Sequence, residues 1–156
     1  MTRGLRNLAA ALIATAAACG TGLAETGKAL VPAERAVGLF RAVCLGTVEK
    51  DFAGAAKVMA KYGIDRKETS GTIYSEAEDI SFKIFDGPGF GKTCSMAFAS
   101  KDKAKAVQAA VPKVAPFQDS AFGLVTVMTK GVLVIYKGTR NGGRMYHNLR
   151  MLSDRG

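Results

Sequence analysis

Apolar and polar positions follow two different periods along this chain, and the switches between them mark out its elements. From Pro32 onward, Val37, Phe40, Val43 and Cys44 recur at helical spacing and share one face. Pro32 suits a first helical turn, Glu34 lies near the positive end of the helix dipole, and Gly46-Thr47 predicts a bend. Behind a capping Asp51, the residues Phe52, Ala55, Ala56, Met59 and Tyr62 keep a helical period, and Gly63 fits the left-handed position past a helix end. The polar stretch from Asp65 to Ser75 predicts a loop with a short edge strand around Gly71–Tyr74.

The period then changes to two. Ile80, Phe82 and Ile84 alternate with Ser81 and Lys83, as in a half-buried strand. Asp86 to Gly91 turns the chain, and Lys92 to Ala99 returns with Cys94, Met96 and Phe98 on its apolar side. This pair predicts an antiparallel hairpin with a loop of roughly five or six residues. Ser100 and Asp102 open a third helix with Ala104, Val107 and Val111 as its stripe, stopped by Pro112 and Pro116. Three strands follow: Phe122 to Met128, Val132 to Lys137 after a turn at Thr129-Lys130-Gly131, and Arg144 to Leu152 after a turn at Gly138 to Gly143. The apolar run Val132 to Tyr136 reads as mid-sheet.

The element order predicts an α+β domain: a five-stranded antiparallel sheet with the N-terminal helices and one crossover helix packed on one face. In layout it resembles the profilin, PAS and roadblock-type folds, a likeness of topology that implies no function.

The first residues change this picture by subtraction. Met1 to Asn7 is short and basic, Leu8 to Ala18 is apolar apart from Thr15, and Gly22-Leu23-Ala24 supplies small residues before Glu25. That order reads as a secretory signal peptide over 1–24, leaving a single domain over 25–156. The apolar run is about half the roughly 20 residues that span a bilayer, so no integral membrane span is expected. Ala16-Ala17-Ala18-Cys19-Gly20 leaves open a lipid-anchored alternative through Cys19, although Ala16 stands where such signals carry Leu. Removing the signal leaves Cys44 and Cys94, an even pair in an oxidising compartment, and predicts a disulfide between them. The bridge pins the first helix to the sheet. Together these features place the protein in the bacterial periplasm or outside the cell.

Charge adds an asymmetry. Residues 25–86 hold 9 basic and 10 acidic side chains, whereas residues 87–156 hold 11 basic and 3 acidic. The excess suggests an acidic protein or an anionic envelope component as partner. Nucleic acid is not expected, because basic and aromatic residues are not interleaved. If Met145, His147, Leu149 and Met151 face the helices, then Tyr146, Asn148 and Arg150 face outward. With Lys83, Lys130, Lys137, Arg140 and Arg144 they make a basic patch carrying the Tyr and Arg that anchor interfaces.

Motifs for catalysis are weak. Gly91-Lys92-Thr93 matches the end of a phosphate-binding loop, but Asp86 stands where the first Gly belongs, and strand sequence follows where a helix must begin. Glu76, Glu78 and Asp79 lack the ligand spacing of an EF-hand, and one His with two paired cysteines predicts no metal and no cofactor. His147, with the parity of Leu149 and Met151, reads as a satisfied strand histidine, and no Gly-x-Ser-x-Gly elbow occurs. The expectation is a non-enzymatic binding, accessory or inhibitor-type protein; a small periplasmic hydrolase whose site forms only in the fold is the alternative.

Overall fold

The computed structural model of the chain describes residues 27–87, 91–128 and 131–153. Helix α1 (Ala33–Phe40) runs directly into a π-helical turn, Arg41–Leu45, and then a 3-10 turn, Val48–Lys50. After α2 (Ala55–Ala60) come strands β1 (Ile64–Lys67), β2 (Ile73–Ser75), β3 (Ile80–Gly87) and β4 (Gly91–Ser100). Helix α3 (Ala104–Ala110) then leads to β5 (Gln118–Ser120), β6 (Gly123–Val127), β7 (Leu133–Asn141) and β8 (Arg144–Leu152). The order across the sheet is β1-β2-β3-β4-β8-β7-β6-β5, with every pair antiparallel. Two four-stranded meanders thus meet where the last strand lies against β4.

The sheet therefore has eight strands among the described residues, which overturns the expected five-stranded sheet and its profilin, PAS or roadblock layout. Beyond those five, β2 falls where a short strand was expected around Gly71–Tyr74 but lies inside a further strand, β1, and β5 is added at the other edge; each of the three is three or four residues long. Three consecutive residues of β1 and all of β5 are exposed, so neither shows an apolar alternation. The helices are also shorter than their periods predict. Asp51 and Phe52 take positive φ, 50° and 62°, so the second helix starts behind Gly54, and Asp51 caps nothing. Burial of the Phe52 ring holds this otherwise costly backbone in place. The turn expected at Gly138 to Gly143 shrinks to Gly142-Gly143, both at positive φ, because β7 continues to Asn141, which pairs with Arg144. Two such residues match the twist of the strands they join.

Register explains where the core sits. Ile84, Cys94, Met151, Val134 and Thr126 are successive cross-strand neighbours from β3 to β6. So are Phe82, Met96, Leu149, Tyr136 and Leu124. A third row joins Ile80, Phe98, His147 and Gly138. These rows face the helices, whose Val37, Phe40, Val43, Met59 and Val107 complete the buried cluster. The Cys44–Cys94 disulfide, with Cα atoms 5.7 Å apart, ties the π-helical turn to the centre of β4. Both cysteines are wholly buried. Among the described residues no helix packs on the opposite face, where the core contributes only Ala99.

Candidate functional site

Three places gather chemistry-bearing side chains: a buried histidine under the helices, an ion cluster at one end of the sheet, and the open sheet face.

His147 is fully buried on β8. Its Nε2 lies 3.0 Å from the Asp102 carbonyl oxygen and its Nδ1 2.9 Å from the Tyr136 hydroxyl. A carbonyl can only accept, so Nε2 carries the proton, and Nδ1 accepts the Tyr136 hydroxyl proton. Burial lowers the His147 pKa from its usual value, against the smaller opposing pull of Asp102, and burial raises that of Tyr136. The imidazole is thus neutral, with both nitrogens engaged and its ring stacked among Phe98 and Tyr136. It offers no free nitrogen to a substrate.

Asp102 belongs to the same knot. The backbone N–H of Ala33 donates to its Oδ2 at 2.6 Å, so Asp102 closes the start of α1 across 69 residues of chain. This corrects its expected place in the first turn of its own helix, since α3 starts behind Lys103. Ser100 does not cap that helix either; its hydroxyl accepts from the Asp102 backbone N–H at 3.1 Å.

At one end of the sheet Asp79 acts as a hub. Arg144 Nη1 donates to its Oδ2 at 3.0 Å, as does the Tyr146 hydroxyl at 3.0 Å, while Arg144 also reaches the Lys28 carbonyl at 3.2 Å. Burial, then the Asp79 carboxylate, pushes the Tyr146 hydroxyl pKa up. Beside it Glu78 takes a two-pronged bond from Arg35, both at 2.7 Å, and Glu76 pairs with Arg66 at 2.9 Å. The acidic stretch is therefore engaged with arginines, and no group of metal-ligating side chains occurs among the described residues.

The open face carries the remainder. Ser95 on β4 is flanked by Lys83 on β3 and Arg150 on β8, both exposed. With strands about 4.8 Å apart, their Cα atoms are separated by roughly 10 Å. Lys137 on β7 lies opposite Asn148, whose side chain bonds Ser95 at 3.2 Å and Arg150 at 3.0 Å. Thr93, Ser95, Ala97 and Ala99 are all small, which leaves a trough along β4 between taller neighbours. Half-buried Phe85, Ile135 and Leu152 give the face an apolar side.

Of the residues singled out in the sequence, Lys83, Lys137 and Arg150 come together on this face. Arg144 and Tyr146 share its parity but are tied to Asp79. Arg140 stands apart: it pairs with Met145, on the parity of the helix-facing residues, at the exposed end of β7. Lys130 and Cys19 lie outside the described residues. Asp79 and Lys28 were not singled out as partners of Arg144; no short-range signal connects positions 65 and 116 residues apart. Comparison with protein-family models, with curated proteins and with solved structures finds no match.

Proposed function

We propose that this is a non-enzymatic binding protein of the bacterial envelope, periplasmic or secreted, that docks an acidic protein on its open sheet face in an accessory or inhibitor-type role. The observation that carries the proposal is the charge of that face. From β3 to β5 across the sheet, its open-face positions include Lys83, Lys137, Arg144 and Arg150 and no carboxylate. Asp79, immediately before β3, is held by Arg144 and Tyr146. Lys83, Lys137 and Arg150 are left without a carboxylate partner among the described residues. A cationic face steers an acidic partner, and the apolar Phe85, Ile135 and Leu152 beside the trough supply area that a purely ionic contact lacks. The hydroxyl and amide groups of Ser95 and Asn148 suit a polypeptide, which brings hydrogen bonds of its own.

The test is capture from envelope extract on immobilised protein at about 0.05 M and about 0.5 M salt, since screening shortens the reach of surface charge. The expected result is an acidic protein retained at low salt and released at high salt. It is lost with Lys83→Glu/Arg150→Glu and kept with Arg140→Glu. Capture that ignores both salt and the double reversal, or binding to phosphatidylglycerol vesicles in place of protein, overturns the reading.

A further inference from the structure

Near β5 the open face ends in a notch that its cations do not account for. Lys113 bridges Met128 and Gln118 pairs with Val125, so five residue steps of one segment run beside three of the other. The extra residues bulge within 115–117. The Thr126 hydroxyl donates to the Ala115 carbonyl at 2.6 Å, and the Phe117 ring meets Tyr136 edge-on with centroids 6.3 Å apart. Thr126 and Tyr136 belong to the helix-facing rows, so the bulge is drawn to that side. A cavity of about 360 Å³ is left, whose walls include Ala115, Pro116, Val125, Val127 and Leu133, with Gln118 at the rim.

The surroundings of this notch are apolar and open. Val114, whose backbone N–H donates to the Val127 carbonyl at 2.9 Å, is 68% exposed, and Leu133 is 43% exposed. They are two of the four large apolar side chains so exposed among the described residues. Apolar side chains gathered round a concavity mark a place of contact. The one carboxylate of the lining, Asp119, pairs with Leu124 and so has the parity of the helix side. The Gln118 side chain is exposed and has no hydrogen-bond partner among the described residues. The notch is also continuous with the cationic part of the face. Val125 lies beside Ile135 and Ile135 beside Arg150, so the floor and Arg150 stand two strand spacings apart, about 10 Å.

We infer that the notch receives an aromatic side chain, Tyr or Trp, of the acidic partner, an inference that rests on the open-face reading above. An apolar cavity of ~150 Å³ already holds benzene, so the volume admits such a ring. Gln118 at the rim accepts from the phenol hydroxyl or the indole N–H, the polar handle that suits these residues to interfaces. The ring supplies the apolar burial that Lys83, Lys137 and Arg150 do not. A second copy of this chain is a poorer occupant, because it sets the same unpaired cations against one another. On the partner, the ring and the acid that meets Arg150 then lie about 10 Å apart, the span of roughly three extended residues.

The probe is a tetrapeptide, N-acetylated and C-amidated, of sequence WGGE, titrated into the oxidised protein while backbone amide shifts are followed by NMR. The expected result is saturable shifts at Gln118, Val125, Val127, Leu133 and Arg150. The peptide AGGE binds at least about tenfold more weakly, and WGGQ about threefold more weakly. Leu133→Asn, at an exposed position, loses at least about tenfold for WGGE. Should it fail to fold, Val125→Phe fills the notch from its floor and takes its place. The inference is overturned if AGGE or WGGQ binds as tightly as WGGE, if the shifts lie elsewhere, or if the variant binds unchanged. It is overturned too if raising the protein concentration alone shifts the same residues, as a second copy in the notch would. Capture from envelope extract separates the two readings. Retention that ignores salt in the unaltered protein sinks the open-face reading, whereas salt-sensitive retention undiminished by Leu133→Asn sinks the aromatic anchor alone.

Discussion

Replacing Cys44 and Cys94 together by alanine lowers stability by an amount the structure fixes. The bridge spans 50 residues of sequence. Opening it returns to the unfolded chain the freedom of a loop of that length, roughly 4 kcal/mol in the chain-entropy account. Alanine is the right replacement, since both sulfurs are wholly buried and serine would bury an unpaired hydroxyl. With a urea dependence near 2 kcal/mol per molar, the unfolding midpoint drops by about 2 M. The assay is urea unfolding of the oxidised protein, the same protein reduced, and the double variant; the last two are expected to coincide within about 1 kcal/mol. Hydrogen exchange locates the effect. Amides of the π-helical turn Arg41–Leu45 lose protection first, because this turn is held to β4 through Cys44. A double variant within about 1 kcal/mol of the oxidised protein refutes the reasoning, for it means that the bridge does not restrict the unfolded chain.

Other outcomes test the buried histidine. The folded His147 pKa lies below its usual value, so the unfolded chain takes the proton first as pH falls. Its contribution is complete above about pH 6.5 and declines below it towards the lower folded pKa, with a limiting slope of ~1.4 kcal/mol per pH unit. Urea midpoints at pH 7.5 and 5.5 read this directly, and His147→Gln is expected to flatten the difference, as the chain has one His. Tyr136→Phe leaves Nδ1 of His147 buried without a donor and costs about 1–3 kcal/mol in the same assay. Gly138→Ala is expected to act on the same bond. A Cβ there would lie 2.9 Å from the Tyr136 hydroxyl and 2.7 Å from Met145 Cε. An unchanged Tm for this variant would show that the neighbourhood yields freely.

The sequence was readable where an element is long enough to show its period. The alternation of Ile80, Phe82 and Ile84 and the parity of Cys94, Met96 and Phe98 locate the centre of the sheet, and the helix-face position of Cys44 brings it to Cys94. The edge strands β1 and β5, three or four residues long with Ile64 their one buried position, have no period to read. The second helix lost its first turn because Phe52 is buried from a left-handed backbone, a tertiary demand that outweighs the local pattern. The basic patch was half legible. Strand parity brings Lys83 and Arg150 to one face. That Arg144 and Tyr146 would turn instead to Asp79 depends on how the end of β8 meets the segment before β3, and no local pattern encodes it.

The charge asymmetry along the chain becomes an asymmetry in space through those pairings. Residues 25–86 supply 10 of the 13 acidic side chains, and three of them, Glu76, Glu78 and Asp79, stand together before β3. Each meets an arginine: Arg66, Arg35 and Arg144 in turn. These three acids are thereby gathered and neutralised at one end of the sheet. In the basic second half, Asp102 is turned inward to the start of α1, and Asp119 has the parity of Leu124 and Tyr136, towards the helices. What the open face keeps from β3 to β5, among the described residues, is cation without a carboxylate partner, in Lys83, Lys137 and Arg150. Exchanging the Asp79–Arg144 pair as Asp79→Arg/Arg144→Asp leaves the net charge unchanged but places an acid on that face. Binding of an acidic partner is then expected to weaken more than the unaltered total would suggest. Retention of full affinity would mean that the partner responds to overall charge and not to this arrangement.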